Sequence, residues 1–173
     1  MDWWKSALYD TCSLITLDKL LQNQTGIPPW FPKKVLALEV SLSEDQMYAE
    51  TAERVKGFVE LCPLPTPTKL KNLLSSVLLS NAFSNVDKLV FATAVDAKIA
   101  VVTGDKQLAK AVQKKGIKVG NIALILRELV KTRKLEPTAV ENILQALADQ
   151  KDYLLGGIPK PTWKDLEGYT FPD

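Results

Sequence analysis

Three aspartates stand where predicted strands end or predicted helices begin. Asp10 follows the strand candidate Ser6–Tyr9, Asp87 opens the segment DKLVFATAVDAKIAVVTGD, and Asp105 closes it. Two carboxylates that share a pocket repel each other by about 4 kcal/mol at ~4 Å and an effective dielectric near 20. The chain has no histidine, and ligand sets made only of oxygen favour Mg²⁺ or Mn²⁺. These acids therefore predict a divalent-metal site.

The path of the chain from Asp87 to Asp105 indicates that both carboxylates lie at one edge of a sheet. A helix from Asp87 to about Ala97 rises about 15 Å at the usual rise per residue. A strand from Ile99 to Thr103 returns about 16 Å. We therefore expect both acids at the carboxyl ends of parallel strands, where α/β proteins place their ligand crevices. Asp10 ends its strand in the same manner.

Each of these acids also has a purely structural explanation. Asp10 and Asp105 precede helical patterns and suit the N-cap position, and Asp87 suits a first helical turn. The neighbouring hydroxyl groups have two possible roles. They can be ordinary helix caps, or they can form hydrogen bonds with the carboxylates and with bound water. The hydroxyl residues concerned are Thr11, Ser13 and Thr103.

Short apolar strands alternate with helical patterns, which predicts an α/β protein: a three-layer α/β/α sandwich around a small, mainly parallel sheet. Helices are predicted for residues 11–23, 43–60, 69–81, 86–98, 105–116, 121–134 and 137–150, and strands for 6–9, 99–103 and 117–119. The stretch 34–42 fits either a strand or a short helix. We expect one domain over residues 1–150 and an extended tail, rich in Gly, Pro and aromatic residues, over 151–173.

Composition excludes several classes of function. The absence of histidine removes His–Ser and His–Cys catalysis and the zinc-metalloprotease motifs. No apolar run reaches the roughly 20 residues of a membrane span. Cys12 and Cys62 suggest buried free thiols in a reducing compartment. We therefore expect a cytoplasmic protein with no membrane association.

Basic residues concentrate between Asp105 and Lys134, where nine lysines and arginines accompany two acids. This pattern fits either the solvated face of two helices or a surface that attracts phosphate groups. The candidate contacts to a nucleic-acid backbone are Lys106, Lys110, Lys114, Arg127 and Lys131.

Two motifs together resemble the PIN-domain nucleases, in particular the VapC-like prokaryotic group. The stretch LYDTCSL at Leu8–Leu14 resembles the opening of these proteins, with an acid and small hydroxyl residues after the first strand. The spacing of Asp87, Ala94, Thr103 and Asp105 is similar to that in their second half. The resemblance extends over roughly residues 4–150.

The family's second acid has two possible matches in this chain. Glu39, in LALEV, lies at the expected distance from the first acid, and Glu44 lies close by at the start of a predicted helix. We expect Glu39 to be the site residue, because Glu44 suits a first helical turn without any site.

The resemblance implies a metal-dependent endoribonuclease, a hydrolase that cuts RNA phosphodiester bonds with Mg²⁺ or Mn²⁺. The catalytic and metal-binding residues that it implies are Asp10, Glu39, Asp87 and Asp105. A small antitoxin protein and a second copy of the chain are further partners that it suggests. The alternative is a catalytically inactive PIN scaffold that binds RNA or a protein, and cleavage of RNA with added Mn²⁺ separates the two.

Overall fold

The computed structural model describes residues 2–23, 28–43, 45–75 and 83–172. Five short strands form one parallel sheet. They are β1 (Leu8–Tyr9), β2 (Val35–Ala37), β3 (Val59–Leu61), β4 (Val101–Val102) and β5 (Val119–Gly120). Their order across the sheet is β3-β2-β1-β4-β5, so the chain reverses its direction of winding between the central strands β1 and β4. Such a switch point is the usual ligand crevice of an open α/β sheet.

Helices cover both faces of this sheet. They are α1 (Thr11–Gln22), α2 (Ala49–Lys56), α3 (Pro67–Ser75), α4 (Asn85–Ala97), α5 (Lys106–Lys114), α6 (Ile122–Lys131), α7 (Pro137–Asp149) and α8 (Trp163–Glu167), with 3-10 turns at Trp3–Ser6 and Glu39–Leu42. The predicted α/β/α sandwich with a parallel sheet is confirmed.

The alternation of side chains along the strands separates two apolar cores. Tyr9 and Val102 face a core that includes α1, α6 and α7. Their strand neighbours Leu8 and Val101 face a smaller core that includes α4 and α5. Successive residues of a strand point to opposite faces, so α5 and α6 belong to opposite layers of the sandwich.

Residues 34–42, which fit two structures equally well, form both of them in succession. Val35–Ala37 is a strand paired with β1 and β3, and the 3-10 turn begins at Glu39. The helix predicted for residues 43–60 is wrong at both ends, since α2 begins at Ala49 and ends at Lys56. The carbonyl of Ser43 instead accepts the backbone N–H groups of a turn, and pairing with β2 makes residues 59–61 a strand.

The tail contains one short helix within its described residues, 151–172. Thr162 and Asp165 form a capping box that starts α8, and Leu166 of this helix is completely buried. Asn121 Nδ2 donates to Tyr169 Oη at 2.9 Å, and Arg127 donates to the Tyr169 carbonyl. The tail is therefore packed onto the domain at several points.

The 3-10 turn at Trp3–Ser6 packs against the domain through its two tryptophans, and the ring of Trp3 lies next to Gly120 of β5. Trp4 is completely buried, and Trp3 packs against the same core. A Cβ on Gly120 would lie 2.6 Å from the Trp3 ring, so only glycine fits at the end of β5. Across the described ranges, no helix is long and apolar enough to cross a bilayer.

Candidate functional site at the carboxyl edge of the sheet

Asp10 is the buried acid at the centre of this edge. It follows β1 directly, only 4% of its surface is exposed, and it is the N-cap of α1. Its Oδ1 accepts the backbone N–H of Ser13 at 2.7 Å, and its Oδ2 accepts the hydroxyl of Thr103. The pKa of Asp10 is raised, mainly because burial penalises the carboxylate, and the charge of Asp87 adds to this effect. The bonds from Thr103 and Ser13 act in the opposite direction.

Thr103 connects the ends of the two central strands. Its hydroxyl donates to Asp10 and accepts the backbone N–H of Asp105 at 3.0 Å. Asp105 is exposed and caps α5, with Oδ1 accepting the N–H groups of Gln107 at 2.7 Å and Leu108 at 2.8 Å. One hydroxyl group thus sets the position of a buried acid relative to an exposed one.

Asp87 lies in the first turn of α4, as the helical pattern predicts. Its Oδ2 accepts the backbone N–H of Ser84 at 2.9 Å, and the Ser84 hydroxyl oxygen accepts the backbone N–H of Asp87 at 3.0 Å, which together make a capping box. Asp87 therefore has the structural role in a first helical turn that its position in the sequence suggests. Its charge nevertheless reaches Asp10 and contributes to the raised pKa of that carboxyl group.

Partial desolvation and the charges of four acids raise the pKa of the Cys12 thiol. It is exposed rather than buried, because it lies on the first turn of α1 and points away from the core. Its pKa is raised to about 11, first by partial desolvation and then by the charges of Asp10, Asp87, Asp105 and Asp152. The three aspartates singled out from the sequence therefore act on one point.

A cavity of about 710 Å³ opens beside this thiol. Asp105, Lys106 and Asn121 line it from the ends of β4 and β5. The start of α1 contributes Cys12, Ser13 and Thr16, and the tail closes the opposite side with residues 152–156 and 168–171. The cavity therefore lies at the switch point of the sheet.

Two polar residues of this cavity were missed in the sequence. Asn121 caps α6 through its Oδ1, and it ends a strand and starts a helix as Asp10 and Asp105 do, so the same pattern identifies it. Asp152 lies in the tail after α7, where no pattern marks it. Its Oδ2 accepts the Thr16 hydroxyl at 2.9 Å and pairs with Lys19 Nζ at 3.1 Å.

Glu39 lies at the same edge of the sheet, two residues beyond β2, and it is exposed. It lines a second cavity, of about 1090 Å³, together with Lys56 and Leu61. It is not among the acids that raise the pKa of Asp10 or Cys12. The alternative residue, Glu44, lies outside the described residues.

The basic residues do not form one surface. Lys106, Lys110 and Lys114 are exposed on α5, on the α4 side of the sheet, whereas Lys131 is exposed at the end of α6 in the opposite layer. Arg127, also on α6, donates to the tail carbonyl of Tyr169 and is half-buried. The crossover through β5 places α5 and α6 in opposite layers of the sandwich, and a role of these basic residues in attracting phosphate stays a prediction.

The donor set at the edge has the chemistry of a hydrated Mg²⁺ or Mn²⁺ site. No group of three Asp, Glu, Cys or His side chains within the described ranges is arranged to hold an ion directly. Mg²⁺ commonly uses one or two carboxylates and completes its shell with water and substrate oxygens. The buried Asp10 carboxyl group, whose pKa is raised by burial and by Asp87, is the kind of group that a cation stabilises in its charged form. Asp10 and Asp105 thus fit such an ion.

Comparisons with protein-family models, with curated proteins and with solved structures give no match. The resemblance to PIN-domain nucleases therefore stays a prediction from the motifs at Leu8–Leu14 and Asp87–Asp105.

Proposed function

We propose that this protein is a divalent-metal-dependent ribonuclease whose site is the carboxylate edge around Asp10. The observation that carries the proposal is the hydrogen-bonded arrangement at the carboxyl ends of β1 and β4, where the Thr103 hydroxyl joins the buried acid Asp10 to the backbone N–H of Asp105. Asp105 lines an open cavity at the switch point of the parallel sheet, and the volume of this cavity, about 710 Å³, is large enough for a nucleotide.

Asp10 and Asp105 are the residues that would hold the metal, directly or through water, and Asp87 adds negative charge to the same site. A bound Mg²⁺ or Mn²⁺ lowers the pKa of its water and stabilises the charge that develops on a phosphodiester under attack. Thr103 holds Asp10 in place from the neighbouring strand. Lys106 lines the cavity next to Asp105, where a cation attracts the phosphate backbone that the acids alone repel.

RNA cleavage with and without metal tests the proposal. Labelled single-stranded RNA should be cut by the wild-type chain with Mn²⁺ and not with EDTA. Asp10→Asn and Asp105→Asn should each lose cleavage, while Asp96→Asn serves as a matched control, because Asp96 is exposed and pairs with Lys69 at 3.0 Å. Cleavage by the Asp10→Asn chain at the wild-type rate would refute the assignment.

A second candidate function is binding without cleavage. It is favoured by the capping bonds, since Asp10, Asp87 and Asp105 each accept backbone N–H groups at a helix start. On this hypothesis the chain binds RNA or a protein such as an antitoxin. It predicts RNA binding that is unchanged by Mn²⁺ and no cleavage in any metal.

A further inference from the structure

One wall of the acidic cavity is aromatic and comes entirely from the tail. Tyr153, Tyr169 and Phe171 line the cavity opposite the acid Asp105. The predicted nuclease motifs end before these residues, so the motifs assign them no role. A chain segment that contributes half the boundary of a candidate site is expected to influence what that site accepts.

Tyr153 is the most exposed of these rings. It keeps 47% of its surface accessible, although burying an aromatic ring of this size is normally favourable. Tyr169, by contrast, is held by Asn121 Nδ2 through its hydroxyl and by Arg127 through its carbonyl. Tyr153 therefore contributes a largely accessible aromatic side chain to the cavity, whereas Tyr169 is held by two hydrogen bonds.

The backbone on both sides of Tyr153 is held by the rest of the domain. Asp152 accepts bonds from Thr16 and Lys19 of α1, and its N–H donates to the Leu147 carbonyl at 2.9 Å. Leu155, two residues beyond Tyr153, is only 8% exposed. Because this backbone is already ordered, stacking a ligand on Tyr153 costs the entropy of its side chain but not that of the loop.

The surroundings of the ring combine the three features that a nucleotide requires. Tyr153 provides an aromatic face, Lys106 a positive charge, and Asp105 a candidate metal ligand, all on one cavity. Unpaired bases stack on aromatic side chains, whereas the bases of a duplex are already stacked and unavailable. A purely apolar ligand would gain nothing from the lysine and the acid.

We propose that Tyr153 stacks on an unpaired nucleobase next to the scissile phosphate, so that the site accepts single-stranded rather than double-stranded RNA. This inference rests on the proposed ribonuclease function, because it uses the same cavity and the same acids. On this proposal the tail selects the substrate, and the acids at the edge of the sheet carry out the metal chemistry.

Base-specific fluorescence tests the stacking step apart from cleavage. A short single-stranded RNA that carries 2-aminopurine is titrated with the full chain in Ca²⁺ and again in EDTA. The wild-type chain should quench the fluorophore, and Tyr153→Ala should bind roughly 5- to 150-fold more weakly, the range for the loss of one stacked base. Tyr153→Trp should restore binding. Tyr48→Ala is the matched control, because Tyr48 is 88% exposed at the start of α2 and does not line the cavity.

A parallel cleavage assay in Mn²⁺ separates the two proposals. If wild-type chain cleaves RNA and Tyr153→Ala binds and cleaves like Tyr48→Ala, stacking is refuted and the ribonuclease stands. If quenching depends on Tyr153 but no metal gives cleavage, stacking stands and the ribonuclease is refuted. Equal binding of single-stranded and duplex RNA overturns the selection of unpaired bases, and absence of both binding and cleavage overturns both proposals.

Discussion

The Thr103 hydroxyl group donates a hydrogen bond to the buried carboxylate of Asp10, across the boundary between β4 and β1. The same oxygen accepts the N–H of Asp105. This relationship makes a single side chain responsible for the spacing of two acids that come from different strands. It also gives the first test of the site.

Thr103→Val should lower both stability and cleavage. The substitution keeps the shape of the side chain but leaves Asp10 Oδ2 without its donor, which costs about 1–3 kcal/mol for a buried polar atom. Urea unfolding measures the loss of stability, and initial rates of RNA cleavage measure the loss of activity. Thr103→Ser retains the hydroxyl and should keep most of both, so equal damage by valine and serine would contradict the role of the hydrogen bond.

Mn²⁺ should raise the melting temperature of the wild-type chain. A ligand that binds only the folded state stabilises it by about 2.7 kcal/mol at a hundredfold excess over Kd. The double variant Asp10→Asn, Asp105→Asn should lose this shift, whereas Asp96→Asn should keep it. Differential scanning fluorimetry at several Mn²⁺ concentrations makes the comparison, and an equal shift in the double variant would mean that the ion binds elsewhere.

The contribution of Asp10 to the stability of the metal-free chain should fall as pH rises above about 4, because burial raises the pKa of this carboxyl group. The unfolded carboxyl group releases its proton near pH 3.9, while the folded one keeps it to higher pH. Stability from this group is thus full below the unfolded pKa and is lost as pH rises through the folded pKa. Urea midpoints in EDTA should show this decline for wild type and a smaller one for Asp10→Asn.

Arg54→Met should destabilise the chain more than Lys69→Met. Arg54 pairs with Asp18, which is only 3% exposed, at 2.8 Å, so its removal leaves a buried charge without its main partner. We expect a cost greater than that of losing an exposed ion pair and smaller than that of breaking a fully buried one, because Arg54 is itself partly exposed. Loss of the exposed Lys69–Asp96 pair should cost about 0–1 kcal/mol. Chemical denaturation of both variants decides this.

RNA binding should weaken with salt, and α5 should account for much of the dependence. Each neutralised phosphate of a single strand contributes a slope near −0.7 in log K against log salt. The triple variant Lys106→Gln, Lys110→Gln, Lys114→Gln should flatten the slope, whereas Lys131→Gln, in the opposite layer, should change it less. Filter binding between 50 and 200 mM salt measures both, and the reverse order would place the RNA on α6.

The sequence predicted the α/β/α fold and the edge residues because both follow from local rules. Asp10 and Asp105 end strands and begin helices, and that pattern is visible in a single chain. The helix at 43–60 was misplaced because pairing of Val59–Leu61 with β2 overrides a local capping pattern. Asp18 of α1 is buried where Arg54 of α2 pairs with it. Such long-range partners leave no periodic signal along the chain.

Asp152 and Tyr153 show the same limit at the candidate site. They follow the last long helix, and their place at the cavity depends on Thr16 and Lys19, more than 130 residues earlier in the chain. No motif spacing can report a contact of that length. The sequence does not show, for the same reason, that the lysines of α5 and Lys131 of α6 lie in opposite layers.

The tail also affects when the cavity is completed as the chain is made. Residues 10–121 supply the acidic edge, and residues 152–171 supply the facing wall. A ribosome adds about 5–20 residues per second, so the acids are synthesised seconds before the aromatic wall exists. The cavity is therefore completed only after residues 152–171 have packed opposite the start of α1 and the ends of β4 and β5.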